Sequence, residues 1–250
     1  GRAAETDQLV AVPRLARHEI VLDDDHRVGV AVCGRGLPVV LVHGITASTD
    51  WWRPTVAALE PDHDVHVVRL PGFRYREAAS WLGDWQEEHG LSGAAVVGHS
   101  MGGTVALALA AERPHLVRRL ALIAPAGIFS TQARRAFALP LARSVLRSPP
   151  RLVFLARDAW RVGPIRLWQV GSDLLGSDIA ATLHRVQAPT LVVWGADDRL
   201  LPPTLGAIFS AELPDSSLVV LDRCGHVPML EAPDALHAEL RRFLDEDAAP

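Results

Sequence analysis

Short apolar runs at residues 28–32, 39–42, 65–70, 94–97, 120–123, 190–194 and 217–221 recur along the chain between stretches of mixed character. Val39-Val40-Leu41-Val42 shows no polar alternation, and a run of that kind suits a strand covered on both faces rather than one with a wet side. Between the runs, residues 81–89, 104–112, 204–212 and 235–244 carry apolar side chains at helical spacing. Strands alternating with crossover helices predict an α/β fold around a central, mostly parallel sheet.

One block departs from this rhythm. From residue 127 to 183 the helical patterns are punctuated by Pro140, Pro149, Pro150, Gly163, Pro164, Gly171 and Gly176. The block reads as an inserted helical cap, which leaves residues 1–126 and 184–250 as the core domain. Carried on to Arg185, it holds nine arginines against three aspartates. Solvated helix faces account for such an excess, and an electropositive lid that draws in an acidic substrate or lies against a membrane surface is the sharper reading. The Asp23-Asp24-Asp25 run is expected to be a solvated turn rather than a cation site.

Composition narrows the picture. A chain of 250 residues suits a single α/β core with an insertion, and 49% hydrophobic with 22% charged residues is the balance of a soluble globular protein. A formal charge of −4 offers no field that would gather phosphate backbones, so nucleic acid is not an expected partner. Two cysteines, Cys33 and Cys224, do not make a disulfide framework. No apolar run approaches the roughly 20 residues needed to span a bilayer, and the N-terminus lacks a signal pattern. A cytoplasmic protein without stable membrane insertion is expected, monomeric or homodimeric, and Gly1 in place of methionine suggests trimming.

The chemistry concentrates at Gly98-His99-Ser100-Met101-Gly102-Gly103, directly after one strand pattern and before a helical one. Gly-x-Ser-x-Gly in that context is a sharp strand-to-helix turn that exposes the serine hydroxyl. A hydroxyl is a poor nucleophile at neutral pH and needs a base, which in turn needs a group to orient it. Gly195-Ala196-Asp197-Asp198-Arg199 follows a later strand, and Cys224-Gly225-His226 follows the last. We therefore expect Ser100 as nucleophile and His226 as general base, with Asp197 or Asp198 as the orienting acid; adjacency favours Asp197, and the place three residues after the glycine, usual in the fold these motifs resemble, selects Asp198. Ser, Asp, His is also the chain order of one known arrangement of such triads. The imidazole must be uncharged to accept the proton, so activity is expected to rise with pH across the range in which histidine titrates. Backbone N–H groups of Met101 and Ile45 are the expected oxyanion donors, and His43 and Gly44 shape the loop that carries Ile45. His43, His99 and His226 lack the short spacing of a zinc site, so no metal is assigned.

Together these residues resemble the α/β-hydrolase superfamily from about Val28 to Leu244. The likeness rests on Val-His-Gly at 42–44, Leu-Pro-Gly-Phe at 70–73, the serine motif at 98–103, the acid loop at 195–199 and Gly-His-Val-Pro-Met-Leu-Glu at 225–231. It implies an eight-stranded, mostly parallel sheet with a helical cap after strand six, and a cofactor-free two-step mechanism. Relatives that cleave carbon–carbon bonds tend to carry asparagine and tryptophan where His99 and Val227 stand, and haloperoxidases usually have phenylalanine in place of His99. Epoxide hydrolases and haloalkane dehalogenases use aspartate in place of Ser100. The serine motif looks more like those of carboxylesterases and monoacylglycerol lipases. After Phe73 the chain enters a helix almost at once, so the connection usual in the family is short here or residues are missing.

The expected activity is hydrolysis of an ester of a largely apolar, neutral or weakly acidic small molecule, through an acyl-enzyme. Trp51, Trp52, Phe73, Phe129 and Trp168 are candidate pocket walls. A lactone, a thioester or a carbon–carbon bond could be cut by the same triad, and a binding protein with little turnover is the reading from another class.

Overall fold

The computed structural model describes residues 30–45, 49–70, 74–127 and 179–246. Phe73, Phe129 and Trp168, the Asp23–Asp25 run and nearly all of the expected cap therefore lie outside the described residues.

Strands β1 (Val30–Gly34), β2 (Leu37–Val42), β3 (His63–Val68), β4 (Ala94–His99), β5 (Val117–Ile123), β6 (Thr190–Gly195) and β7 (Ser216–Leu221) form one sheet in the order β1-β3-β2-β4-β5-β6-β7. Only β1, at the edge, runs antiparallel to its neighbour. Seven strands rather than eight are found among the described residues. Helices α1 (Arg53–Leu59), α2 (Tyr75–Glu88), α3 (Met101–Glu112), α4 (Ile179–Leu183), α5 (Thr204–Glu212), α6 (Pro228–Glu231) and α7 (Pro233–Asp245) connect and cover the strands.

The unbroken apolar runs follow from coverage on both faces. Val40, Val42, Val96, Leu120, Leu122 and Val192 pack with α2, α3 and α5 on one side. Their chain neighbours Val39, Leu41, Val97, Ala121, Ile123 and Val193 pack with Trp51, Trp52 and α7 on the other. Successive strand residues face opposite ways, so both phases must be apolar when neither face is wet. Helix α3 is buried along almost its whole length, as expected of a helix enclosed by α2, the sheet and α4.

Strand ends shift from the sequence reading by one to three residues, and three helices begin earlier than their periodicity suggests, α7 by two residues at Pro233. Helix α2 starts at Tyr75 and α3 at Met101. The first turn of α3 was obscured by Gly102 and Gly103, which contacts rather than helix propensity require.

Register aligns the carboxyl ends. Val42 pairs with Gly98, His99 with Ile123, and Gly195 with Leu221, so the loops after β2, β4, β6 and β7 emerge at one rim. Because β3 lies beyond β2 while β4 lies on its other side, the chain reverses its direction of winding at the β2–β4 crevice. Sites in open α/β sheets form at that kind of switch point. No helix among the described residues is long and apolar enough to cross a membrane.

Candidate active site

Ser100 joins β4 to α3 with φ 54° and ψ −119°, left-handed backbone that a residue with a side chain adopts only under constraint, at about 1–3 kcal/mol. The constraint is visible. Its N–H donates to the Ile123 carbonyl at 2.9 Å, and its own carbonyl accepts from Gly103, Thr104 and Ala126 at 3.0, 3.3 and 3.1 Å. The turn also needs bare backbone on either side. A Cβ at Gly98 would lie 2.4 Å from the Gly102 carbonyl oxygen, and one at Gly102 would lie 2.4 Å from the carbonyl oxygens of both Val42 and His43.

The Ser100 hydroxyl donates to Nε2 of His226 at 3.2 Å, and Nδ1–H of His226 donates to Oδ2 of Asp198 at 2.7 Å. Oδ1 of Asp198 accepts the N–H groups of Leu200 and Leu201 at 2.8 and 2.9 Å. The carboxylate side chain is fully buried and the imidazole 12% exposed. A buried carboxylate is tolerable only when its lone pairs are taken, and here three donors converge on it. Asp197 lies exposed beside it, its backbone N–H donating to the Cys224 carbonyl. The three residues singled out in the sequence are thus brought together, and of the two adjacent aspartates it is Asp198 that meets the histidine.

The expected oxyanion donors lie next to Ser100 in the chain or in the loop beside it. Met101 is the first residue of α3, where N–H groups have no partner within the helix and the dipole favours negative charge. Gly44 also abuts Ser100, a Cβ there falling 3.2 Å from that of the serine, and Ile45 follows it. His43 shapes this loop: its Nδ1–H donates to the Gly44 carbonyl at 2.7 Å and its Nε2 accepts the Leu70 N–H at 3.1 Å. Burial lowers the pKa of His43, in keeping with a neutral ring used on both sides.

His99 is equally buried. Its Nε2–H donates to the His226 carbonyl at 2.8 Å, and burial, with the neighbouring His226 second, lowers its pKa to about 3. Of the candidate pocket walls, Trp51 is buried and tilted against His99, ring centroids 6.3 Å apart, and Trp52 lies 1% exposed in the core beneath the sheet. Cys224 is buried close to the triad, and that burial, with Glu231 next, pushes its thiol up to about 12, which leaves it a poor nucleophile. No group of three or more His, Cys, Asp or Glu among the described residues is arranged to hold a metal ion.

Two residues of this region went unassigned in the sequence. Glu231 accepts the N–H groups of Gly225 and Val227, on either side of His226, and His99 holds the carbonyl of His226 itself. Only the Glu six positions after Gly225 hinted at the first. The second contact joins residues 127 apart, beyond any local pattern.

Comparison with known proteins bears on this geometry. The alpha/beta hydrolase family model matches residues 39–239. The dihydrolipoyllysine-residue acetyltransferase component of the acetoin cleaving system from Cupriavidus necator is 30% identical over 88% of this chain, and that from Pseudomonas putida 28% over 84%. The chain spans 67% and 64% of those two relatives' lengths. A pimeloyl-acyl-carrier-protein methyl ester esterase from Nitrosospira multiformis is 26% identical over 84% of this chain and 95% of its own. Among solved structures, a bacterial membrane phospholipase A superposes with a TM-score of 0.79 at 24% identity, covering 94% of this chain and 87% of that one. Est816, described as an N-acyl homoserine lactone degrading enzyme, gives 0.76 at 22%, covering 88% and 98%. At those identities the structures share the fold.

Proposed function

The chain belongs to the alpha/beta hydrolase family, and from that premise we propose that it is a serine hydrolase that cleaves an ester of a largely apolar small molecule through an acyl-enzyme. The observation that carries this reading is the unbroken line from Asp198 through His226 to the Ser100 hydroxyl, at 2.7 and 3.2 Å. Methyl ester esterases similar to this chain over nearly their whole length favour an ester over other acyl bonds.

The steps follow from the positions. As the Ser100 oxygen attacks the ester carbonyl, its proton passes to Nε2 of His226, whose emerging charge Asp198 stabilises through Nδ1–H. The carbonyl oxygen becomes an oxyanion facing the N–H groups of Met101 and Ile45, each such donor being worth about 3 kcal/mol of barrier. The imidazolium then protonates the departing alkoxide, leaving the acyl group on Ser100. Water repeats the sequence with the same base and releases the acid. No cofactor enters these steps. We read residues 127–183 as an inserted cap, and a small-molecule ester is the only partner the reading requires.

A series of p-nitrophenyl esters of increasing acyl length tests the proposal. Turnover by the wild type, with a preference among chain lengths and none by Ser100→Ala, supports it. Absence of turnover and of fluorophosphonate labelling in the wild type points instead to a binding protein.

A further inference from the structure

Asp198 grips the ring of His226, yet that ring can stand between Ser100 and Asp198 only if the backbone beneath it is fixed. The segment that carries it joins the end of β7 to the single turn of α6 and belongs to neither strand nor helix. Three hydrogen bonds from the side chains of Glu231 and His99 grip its backbone around His226. Oε2 of Glu231 accepts the Gly225 N–H at 3.0 Å and Oε1 accepts the Val227 N–H at 2.9 Å, so one carboxylate straddles His226. From the nucleophile side, Nε2–H of His99 donates to the carbonyl of His226 at 2.8 Å. Glu231 is itself anchored to the segment, its N–H donating to the Val227 carbonyl at 2.9 Å.

The space around the carboxylate fits this use. A Cβ at Gly225 would lie 2.8 Å from Oε2 and 3.1 Å from Oε1 of Glu231, so the carboxylate occupies the place of a side chain at 225. His99 has no competing polar commitment, since its buried Nδ1 makes no hydrogen bond.

We propose that Glu231 and His99 are positioning residues, a clamp on the backbone of residues 225–227 that sets the imidazole of His226 at the distance from which it takes the Ser100 proton. The proposal rests on His226 being the general base. A carboxylate is required because two N–H donors need two acceptor oxygens. An amide of the same shape offers one and turns an NH2 toward the other donor.

The test compares Glu231→Gln, which keeps the shape, with Gly225→Ala, which displaces the carboxylate from the opposite side and leaves Glu231 intact. Both are assayed for kcat and KM on one p-nitrophenyl ester, with amide hydrogen exchange followed at Gly225 and Val227. We expect kcat to fall about 10-fold or more in each, the scale of a small misplacement of a reacting group. KM should stay within about twofold, amide exchange should accelerate, and the double variant should lose no more than the worse single one, because both break one contact. His99→Gln, whose amide can still donate toward the carbonyl, should keep more activity than His99→Phe. Wild-type kcat in Glu231→Gln, a loss confined to KM, or equal losses in the two His99 variants overturns the proposal. If the wild type itself neither turns over nor labels, the hydrolase reading fails, and exchange at Gly225 and Val227 as fast in wild type as in Glu231→Gln refutes the clamp separately.

Discussion

Asp198 receives Nδ1–H of His226 on one carboxylate oxygen at 2.7 Å and two backbone N–H groups, of Leu200 and Leu201, on the other. The acid is therefore aimed by its own loop: two N–H groups to the carboxyl side fix one oxygen and leave the second facing the ring. Its neighbour Asp197 is exposed and has no such cradle.

The two aspartates should separate sharply on mutation. Asp198→Asn is expected to cut kcat on the order of a thousandfold or more, because the amide can present its NH2 to the ring and favour the wrong tautomer. Asp197→Asn should stay within a few-fold of wild type. Steady-state kinetics of both on one ester checks this, and a larger loss at Asp197 would reassign the acid.

Two glycines owe their identity to different physics, and stability should show it. At Gly102 a methyl group would stand 2.4 Å from two backbone carbonyl oxygens, where no side chain can swing away. Gly102→Ala is expected to lose about 3 kcal/mol or more. Gly90 has φ +67° and nothing within 4 Å of a built Cβ, so only conformational strain opposes alanine there, and the loss should be about 1–2 kcal/mol. Urea unfolding of both variants measures the order, and a Gly102→Ala protein no less stable than Gly90→Ala would contradict the packing at the turn.

Acid should weaken the fold partly through His99. Burial, seconded by His226, takes this imidazole from the ordinary 6.5 to about 3, so between those values the unfolded chain binds a proton that the folded chain refuses. Its contribution is therefore whole above about pH 6.5 and declines as the pH falls from there toward 3. Burial shifts His43 and His237 in the same direction. Urea midpoints measured across this window should fall for the wild type and fall less steeply for His99→Gln. Parallel slopes would contradict a buried, neutral His99.

Much of this was legible in the chain because Ser100, Asp198 and His226 follow strand ends, where local pattern is strong. The run before Gly98 is apolar in both phases, and the glycines around Ser100 mark a turn that admits no side chain at 98 or 102. The acid loop at 195–199 follows β6 for the same reason. Legibility stopped where contacts cross the chain. In the sequence His99 marks a motif position that separates one branch of relatives from another, yet its ring meets a carbonyl 127 residues away. Trp51 and Trp52 look like pocket walls in sequence, since an aromatic pair after a glycine loop suits either role. Packing under the sheet shows in their burial and in no periodicity. Helix α1 escaped notice because it spans seven residues with proline in its first turn, too short for a 3.6-residue period to declare itself.

The central claim is that the Ser100 hydroxyl is made nucleophilic by His226, and covalent trapping tests it most directly. The protein is treated with a fluorophosphonate and analysed by intact mass and peptide mapping, alongside Ser100→Ala and His226→Ala. The account predicts one adduct per chain, located on Ser100, absent from Ser100→Ala and formed far more slowly in His226→Ala. An adduct on another residue, or labelling of Ser100 at the wild-type rate without His226, would contradict it.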